Sequence, residues 1–167
     1  MDLKTELLRE HSKVQALKIT AYIGNDPKKF DQLMALFFDK EYRVTQRAAW
    51  VVSHCGKNHP ELINPYIDKM VKNLKKEVHV AVVRNTLRLL QDFEIPKHLW
   101  GITADICFNI MGSNAPIAVK VFGMTVLANI CEKEPDLKNE LRLIIEDQLP
   151  YGSAGFKSRA NKILKRL

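Results

Sequence analysis

Apolar positions recur along this chain at helical spacing, and the polar punctuation between them is short. Leu3, Leu7 and Leu8 predict a short first helix. Val14, Leu17 and Ala21, with Ile19 and Tyr22 beside them, predict a second that ends at Gly24-Asn25. Asp26 is placed to cap a third helix, with Pro27 in its first turn, where a missing N–H costs nothing, and Phe30, Leu33, Met34 and Phe37 as its apolar face. A fourth runs from about Glu41 to Cys55 with Val44, Ala48, Val51, Val52 and Cys55 on one side, and Gly56 is read as its end. Pro60 opens the next stretch, restarted at Asn64-Pro65, with Ile67, Met70, Val71 and Leu74 inward. Val80 to Phe93 follows with Val83, Leu87 and Leu90 inward, then Pro96 to about Met111 and Pro116 to Cys131. Pro135 opens a helix with Leu137, Leu141, Ile144 and Ile145 inward, and a basic helix from about Phe156 to Leu167 closes the chain after a loop with Pro150, Gly152 and Gly155. No stretch alternates strictly, and no Asn-Gly or Asp-Gly hairpin signal is present, so a sheet is not expected.

Two ladders run through this pattern. Prolines open helical stretches at Pro27, Pro60, Pro96 and Pro135, and a basic residue stands near the start of each following stretch, at Arg47, Arg84, Lys120 and Arg159. Both ladders step by roughly 33 to 39 residues, the period of a helix pair copied along an α-solenoid. The units are about 27–55, 60–93, 96–132 and 135–167, preceded by an N-terminal helical cap at 1–25, and all belong to a single domain of 1–167. The stretch from Ala115 is apolar nearly all round, which suits an interior layer clamped by its neighbours. The same surface could instead mediate self-association, and the oligomeric state is left open.

Composition narrows the class. At 46% hydrophobic and 27% charged residues, the chain can bury a continuous core. A net charge of +7 favours acidic partners. Cys55, Cys107 and Cys131 are odd in number and lie in apolar helical patterns, so no disulfide framework is indicated and a reducing, cytoplasmic compartment is expected. The start Met1-Asp2-Leu3-Lys4 does not read as a signal peptide, and Ala115 to Ala128 is too short and too interrupted to span a bilayer.

At the second helices the chain resembles the HEAT-like members of the armadillo-type superhelical family. In that family the second helix of each unit begins with an apolar residue followed by Arg or Lys, as in Val83-Arg84 and Val119-Lys120; Gln46-Arg47 and Ser158-Arg159 keep the basic half. Asp39 matches the family's acid in the inter-helix turn, where later units have Lys76-Glu77, Ser113-Asn114 and Gly152-Ser153. The small residue three positions after the base is matched by Gly123, while Trp50, Leu87 and Lys162 stand at the other three places. The resemblance implies an all-α, right-handed α-α superhelix, a HEAT-like solenoid of about four helix pairs, with the second helices lining its concave face. It also implies that a ladder arginine ties one repeat to the next through an acid, as Asp39 with Arg47 or Arg84.

On that face the sequence places a basic stripe. Arg43, Arg47, Trp50 and His54 are four, three and four apart and share one side of their helix, opposite Val44, Ala48, Val51 and Cys55. Arg84, Arg88 and Gln91 repeat the arrangement, Lys120 continues it, and Arg159, Lys162 and Arg166 resume it. Guanidinium forks suit carboxylates or phosphates, and Trp50 adds a stacking surface. Arg43, Arg47, Trp50, Arg84, Arg88, Lys120, Arg159 and Lys162 are therefore the candidate partner-binding residues, with a structural role open for Arg47 and Arg84. The five bases of the last turns, Lys157, Arg159, Lys162, Lys165 and Arg166, also suit a capping helix end. Glu132, Glu134 and Asp136 read as first-turn acids.

Catalytic signals are missing. His54, Cys55 and His59 match no zinc module, and no Walker, dinucleotide or nucleophile-elbow motif occurs. No catalytic residue, metal or cofactor is predicted. The leading expectation is a non-catalytic binding or scaffold module that holds an acidic protein or peptide in a basic concave groove, away from membranes. The alternative is a nucleic-acid binder, extending to HEAT-like DNA glycosylases of alkylated bases, which Trp50, Trp100 and Asp105 resemble in residue type.

Overall fold

The computed structural model describes residues 1–167 and is all-helical, with ten α-helices and no strand. They are α1 (Leu3–Arg9), α2 (Lys13–Ile23), α3 (Pro27–Phe37), α4 (Tyr42–Asn58), α5 (Ile67–Asn73), α6 (Val80–Leu90), α7 (Trp100–Met111), α8 (Ile117–Cys131), α9 (Lys138–Gln148) and α10 (Ala154–Leu164). Short 3-10 turns open α5, α7 and α9, at Pro60–Leu62 with Asn64–Tyr66, at Lys97–Leu99 and at Pro135–Leu137. Proline suits these entries because its fixed φ starts a turn without needing a donor. The chain forms two compact units, Met1–Leu89 and Leu90–Leu167.

In the first unit, α4 is the hub, packed by α1, α2 and α3. Its stripe of Val44, Ala48, Val51, Val52 and Cys55 is fully buried against Phe30, Leu33, Met34 and Phe37 of α3 and Ile19 and Ile23 of α2. Each large apolar side chain so buried contributes about 1.5–3 kcal/mol. Asp26 caps α3 as expected, accepting from the N–H groups of Lys28 and Lys29. Gly24 closes α2 at φ 54°, its N–H donating to Thr20 O at 2.9 Å; an L side chain strains that conformation.

Several expectations change here. The buried face of α2 is Ala16, Ile19, Thr20 and Ile23, while Val14 (78% exposed) and Leu17 (43%) point outward. Buried polar groups decide the rotation. Gln15, 6% exposed, donates its Nε2 to both Glu6 O (2.8 Å) and Glu6 Oε2 (2.9 Å), which places this side of α2 on α1. Gly56 does not end α4: the helix continues to Asn58, and the His59 N–H donates to Cys55 O at 2.7 Å. Val82, not Val83, is the buried valine at the start of α6. That helix stops at Leu90, three residues short of the expected end.

In the second unit, α8 pairs with α7 and also meets α9 and α10. Its Val119, Met124, Val126, Leu127, Ile130 and Cys131 are buried, so most of the apolar helix is an interior layer, while Ile117 at its start is 51% exposed. In α9 only Leu141 and Ile145 are buried, and Leu143 is 59% exposed. Ser153 caps α10, its Oγ accepting from the Phe156 N–H at 3.2 Å, and Phe156, Ala160 and Ile163 face inward.

Candidate functional site

The four residues that share a face of α4 have different fates. Arg43 is exposed, and its Nε lies 3.5 Å from Tyr42 Oη. Tyr42 in turn stacks on His79 at 4.7 Å between centroids, just ahead of α6. Arg47 is half-buried, and its Nη1 donates to the carbonyl of Leu7 at 2.9 Å. That carbonyl lies in the last turn of α1, where no helical N–H follows to satisfy it. Gln15 serves the neighbouring Glu6 carbonyl in the same way. Arg47 thus ties the first repeat to the N-terminal cap, where the resemblance implied a tie to the next repeat through an acid, and its partner is a helix-end carbonyl. Asp39 bonds instead to Lys4 Nζ at 3.2 Å and to the Glu41 N–H at 2.8 Å.

Trp50 is half-buried, and His11, from the link between α1 and α2, meets it edge-on at 5.5 Å between centroids. Trp50 and Gln46, one turn apart on α4, form one wall of an open cleft of about 270 Å³; Arg84, Asn85 and Arg88 of α6 form the other, and His11 closes one end. None of the six lining residues is acidic. Arg84 and Arg88 are half-buried and one turn apart, so both guanidinium stems run along the same side of α6. Asn85 is only 3% exposed. His54, one turn beyond Trp50, has a buried Nε2 with no partner. Burial first, and then the positive charges of Lys57, Lys13 and Arg88, push its pKa below the ordinary imidazole value. The local potential is therefore positive without any contribution from this histidine at neutral pH.

Of the eight residues expected to bind a partner, the first unit brings Trp50, Arg84 and Arg88 to one cleft, uses Arg47 as a structural tie to α1, and leaves Arg43 outside the lining. In the second unit Lys120 is half-buried, its Nζ 3.4 Å from Gln148 Oε1. Arg159 is half-buried and donates its Nη1 to Thr125 Oγ1 at 2.7 Å and Gln91 Oε1 at 3.3 Å, which fastens α10 onto α8. Lys162 is exposed. Arg166 pairs with Glu132 at 2.6 Å, so Glu132 serves the C-terminal helix and not a helix start.

His11, Gln46 and Asn85 were missed by sequence reasoning. Gln46 was legible as the i−4 neighbour of Trp50, and Asn85 as a polar residue on the apolar line Val82–Asn85–Leu89. His11 had no local signal, since it enters from another helix link.

The Cys55, Cys107 and Cys131 thiols are buried, and burial pushes their pKa values up to about 11, about 12 and about 11. Such thiols stay protonated and poorly nucleophilic. His59 lies 3.4 Å from Glu61, away from the core position of Cys55. Trp100 donates its indole N–H to Ile95 O at 2.7 Å and lines a cleft of about 300 Å³ that also carries Asp92, Glu94 and Glu132. Asp105 is exposed and outside that lining. No helix is long and apolar enough to cross a membrane.

The architecture of paired helices with prolines at the first and basic residues at the second defines a helical-repeat protein. A family model of the HEAT repeat domain matches residues 3–167, and the chain belongs to that family. A HEAT repeat domain points to a scaffold or protein-interaction module. No curated protein and no solved structure matches the chain.

Proposed function

We propose that the protein is a non-catalytic binding module that holds an acidic segment of a protein partner, anchored at the cleft between α4 and α6. The observation that carries this reading is the lining of that cleft: an aromatic face at Trp50, two guanidiniums at Arg84 and Arg88, amides at Gln46 and Asn85, and no carboxylate. Trp and Arg are the residues that dominate binding energy at protein interfaces. Arginine forks recognise carboxylates with a geometry that lysine cannot reproduce. In the second unit Lys162 and Lys120 are separate contact points, whereas Arg159 is committed to holding α10. Three free, buried thiols fit a reducing compartment.

The nucleic-acid reading draws less support. Trp100 spends its indole N–H on a backbone carbonyl and faces a cleft lined by Asp92, Glu94 and Glu132 with a single base, Lys133, a net negative lining that disfavours a phosphate backbone. The test is fluorescence anisotropy with a labelled glutamate-rich peptide and a labelled DNA duplex, each across a salt series. The reading expects peptide binding that Trp50→Ala and Arg88→Glu each abolish. Tight duplex binding with a steep salt dependence, or peptide binding indifferent to both substitutions, would overturn it.

A further inference from the structure

We infer that the cavity beside Trp100 in the second unit is a site for an arginine side chain of a protein partner, with the indole and Phe93 as aromatic walls and Asp92, Glu94 and Glu132 as acceptors for the guanidinium. It shares no lining residue with the cleft at Trp50 and takes a ligand of the opposite charge, so it stands or falls apart from the acidic-segment reading. The first argument is the lining. The cavity holds about 300 Å³, and three carboxylates stand in its wall against one ammonium, that of Lys133. In a chain of net charge +7 such a concentration of acid runs against the composition. Asp92 and Glu94 come from the link that follows α6, and Glu132 comes from the end of α8. Like charges brought together from two distant segments repel, and a cation between them relieves that repulsion.

The second argument is the indole. Trp100 is half-buried, and its N–H donates to the Ile95 carbonyl at 2.7 Å, which fixes the ring. Its one polar group is thereby satisfied, and what the ring offers a ligand is its π-surface. Lys97 Nζ, outside the lining, lies 6.0 Å from the ring centroid, the outer reach of a cation–π contact. The ring thus already draws a cation of the chain, and a guanidinium is the cation that stacks flat on tryptophan.

Third, Glu132 is only half used by its own partner. Arg166 donates Nε at 3.1 Å and Nη2 at 2.6 Å, both to Oε1, so the pair does not engage Oε2. The same hydrogen bonds hold the Glu132 carboxyl below the ordinary carboxylate range, which keeps it ionised at neutral pH. A planar fork with five N–H donors reaches acceptors on both segments at once, whereas an ammonium is a point charge.

The experiment is a titration of the ¹⁵N-labelled full-length chain followed by NMR, because Trp50 and Trp100 are its two tryptophans and Trp100 alone lines this cavity. Trp50→Phe assigns the indole signals. The probes are degenerate peptide pools with arginine, lysine or citrulline at the centre and no other basic residue; citrulline keeps the shape of arginine without its charge. The arginine pool is expected to shift the Trp100 indole saturably, to leave the Trp50 indole unmoved, and to bind at least roughly tenfold more tightly than the lysine pool. The citrulline pool is expected to leave Trp100 unmoved. The double variant Asp92→Asn/Glu94→Gln changes two exposed acids and keeps the Glu132–Arg166 pair. It is expected to lose most of the arginine response with an unchanged far-UV circular dichroism spectrum. An arginine response retained in that variant, an equal response to lysine or citrulline, or no movement of Trp100 with any pool would overturn the inference. None of these results touches the reading of the cleft at Trp50.

Discussion

Arg47 separates a structural arginine from a binding one, and its role has a measurable size. Its Nη1 donates to the Leu7 carbonyl at 2.9 Å across 40 residues of chain. Leu7 itself is 2% exposed, so water does not readily replace the guanidinium. A hydrogen bond with a charged partner is worth about 1.5–3 kcal/mol, and a buried acceptor left without one costs about 1–3 kcal/mol. Arg47→Met keeps most of the aliphatic stem and removes the donor, so the expected loss is about 2 kcal/mol. For a chain of this length that corresponds to a fall in Tm of roughly 4–8 °C. Arg88→Met, on the cleft wall, is expected to stay within about 0.5 kcal/mol. Urea unfolding followed by far-UV circular dichroism, with both variants compared at equal m-value, measures the difference. An Arg47→Met protein as stable as the parent would refute the assignment of Arg47 as the tie between α1 and α4. So would a matching loss in Arg88→Met, because the cleft arginine would then be structural too.

Three further outcomes follow from the same geometry. Gly24→Ala places a Cβ at φ 54° and is expected to cost about 1–3 kcal/mol in urea unfolding; an unchanged midpoint would mean that α2 ends differently. The Glu6 carboxyl is held below the ordinary carboxylate range, chiefly by the Gln15 hydrogen bond and then by Lys18. Because its folded pKa lies below its unfolded value, the stabilisation is present above the ordinary glutamate value of 4.5 and is lost as pH falls through the folded value, so Glu6→Gln should flatten the acid limb of a stability-pH curve. A curve unchanged by that substitution would contradict the pairing. The three thiols are expected to resist a thiol-specific reagent in the native state and to react fully in denaturant, read by absorbance; rapid labelling of any one in the native protein would show it to be accessible.

The pattern of the chain carried much of the fold because each helix announces itself locally. Asp26-Pro27 caps and starts α3, Gly24 closes α2, and the stripe of α4 is buried as its period-3.6 spacing requires. These features depend on residues a few positions apart, and backbone sterics and amphipathic spacing act at that range. Gly56 misled because a glycine inside a helix costs only about 1 kcal/mol, which the packing of α4 on three neighbours outweighs.

The rotation of α2 was not legible in the same way. Val14, Leu17 and Ala21 make as good an apolar line as Ala16, Ile19 and Ile23. Only the Gln15–Glu6 contact with α1 selects the second. The ladder arginines looked alike in sequence, yet Arg47 meets a helix-end carbonyl, Arg159 meets Thr125 and Gln91, and Arg84 and Arg88 line the cleft. Sequence by itself determined the all-helical fold and the helical-repeat family, because helix starts, stops and apolar stripes are set by local spacing. Tertiary structure alone decided which cations are spent inside the fold and which reach the cleft, because a guanidinium's partner is whatever acceptor packing brings within about 3 Å, however distant in the chain.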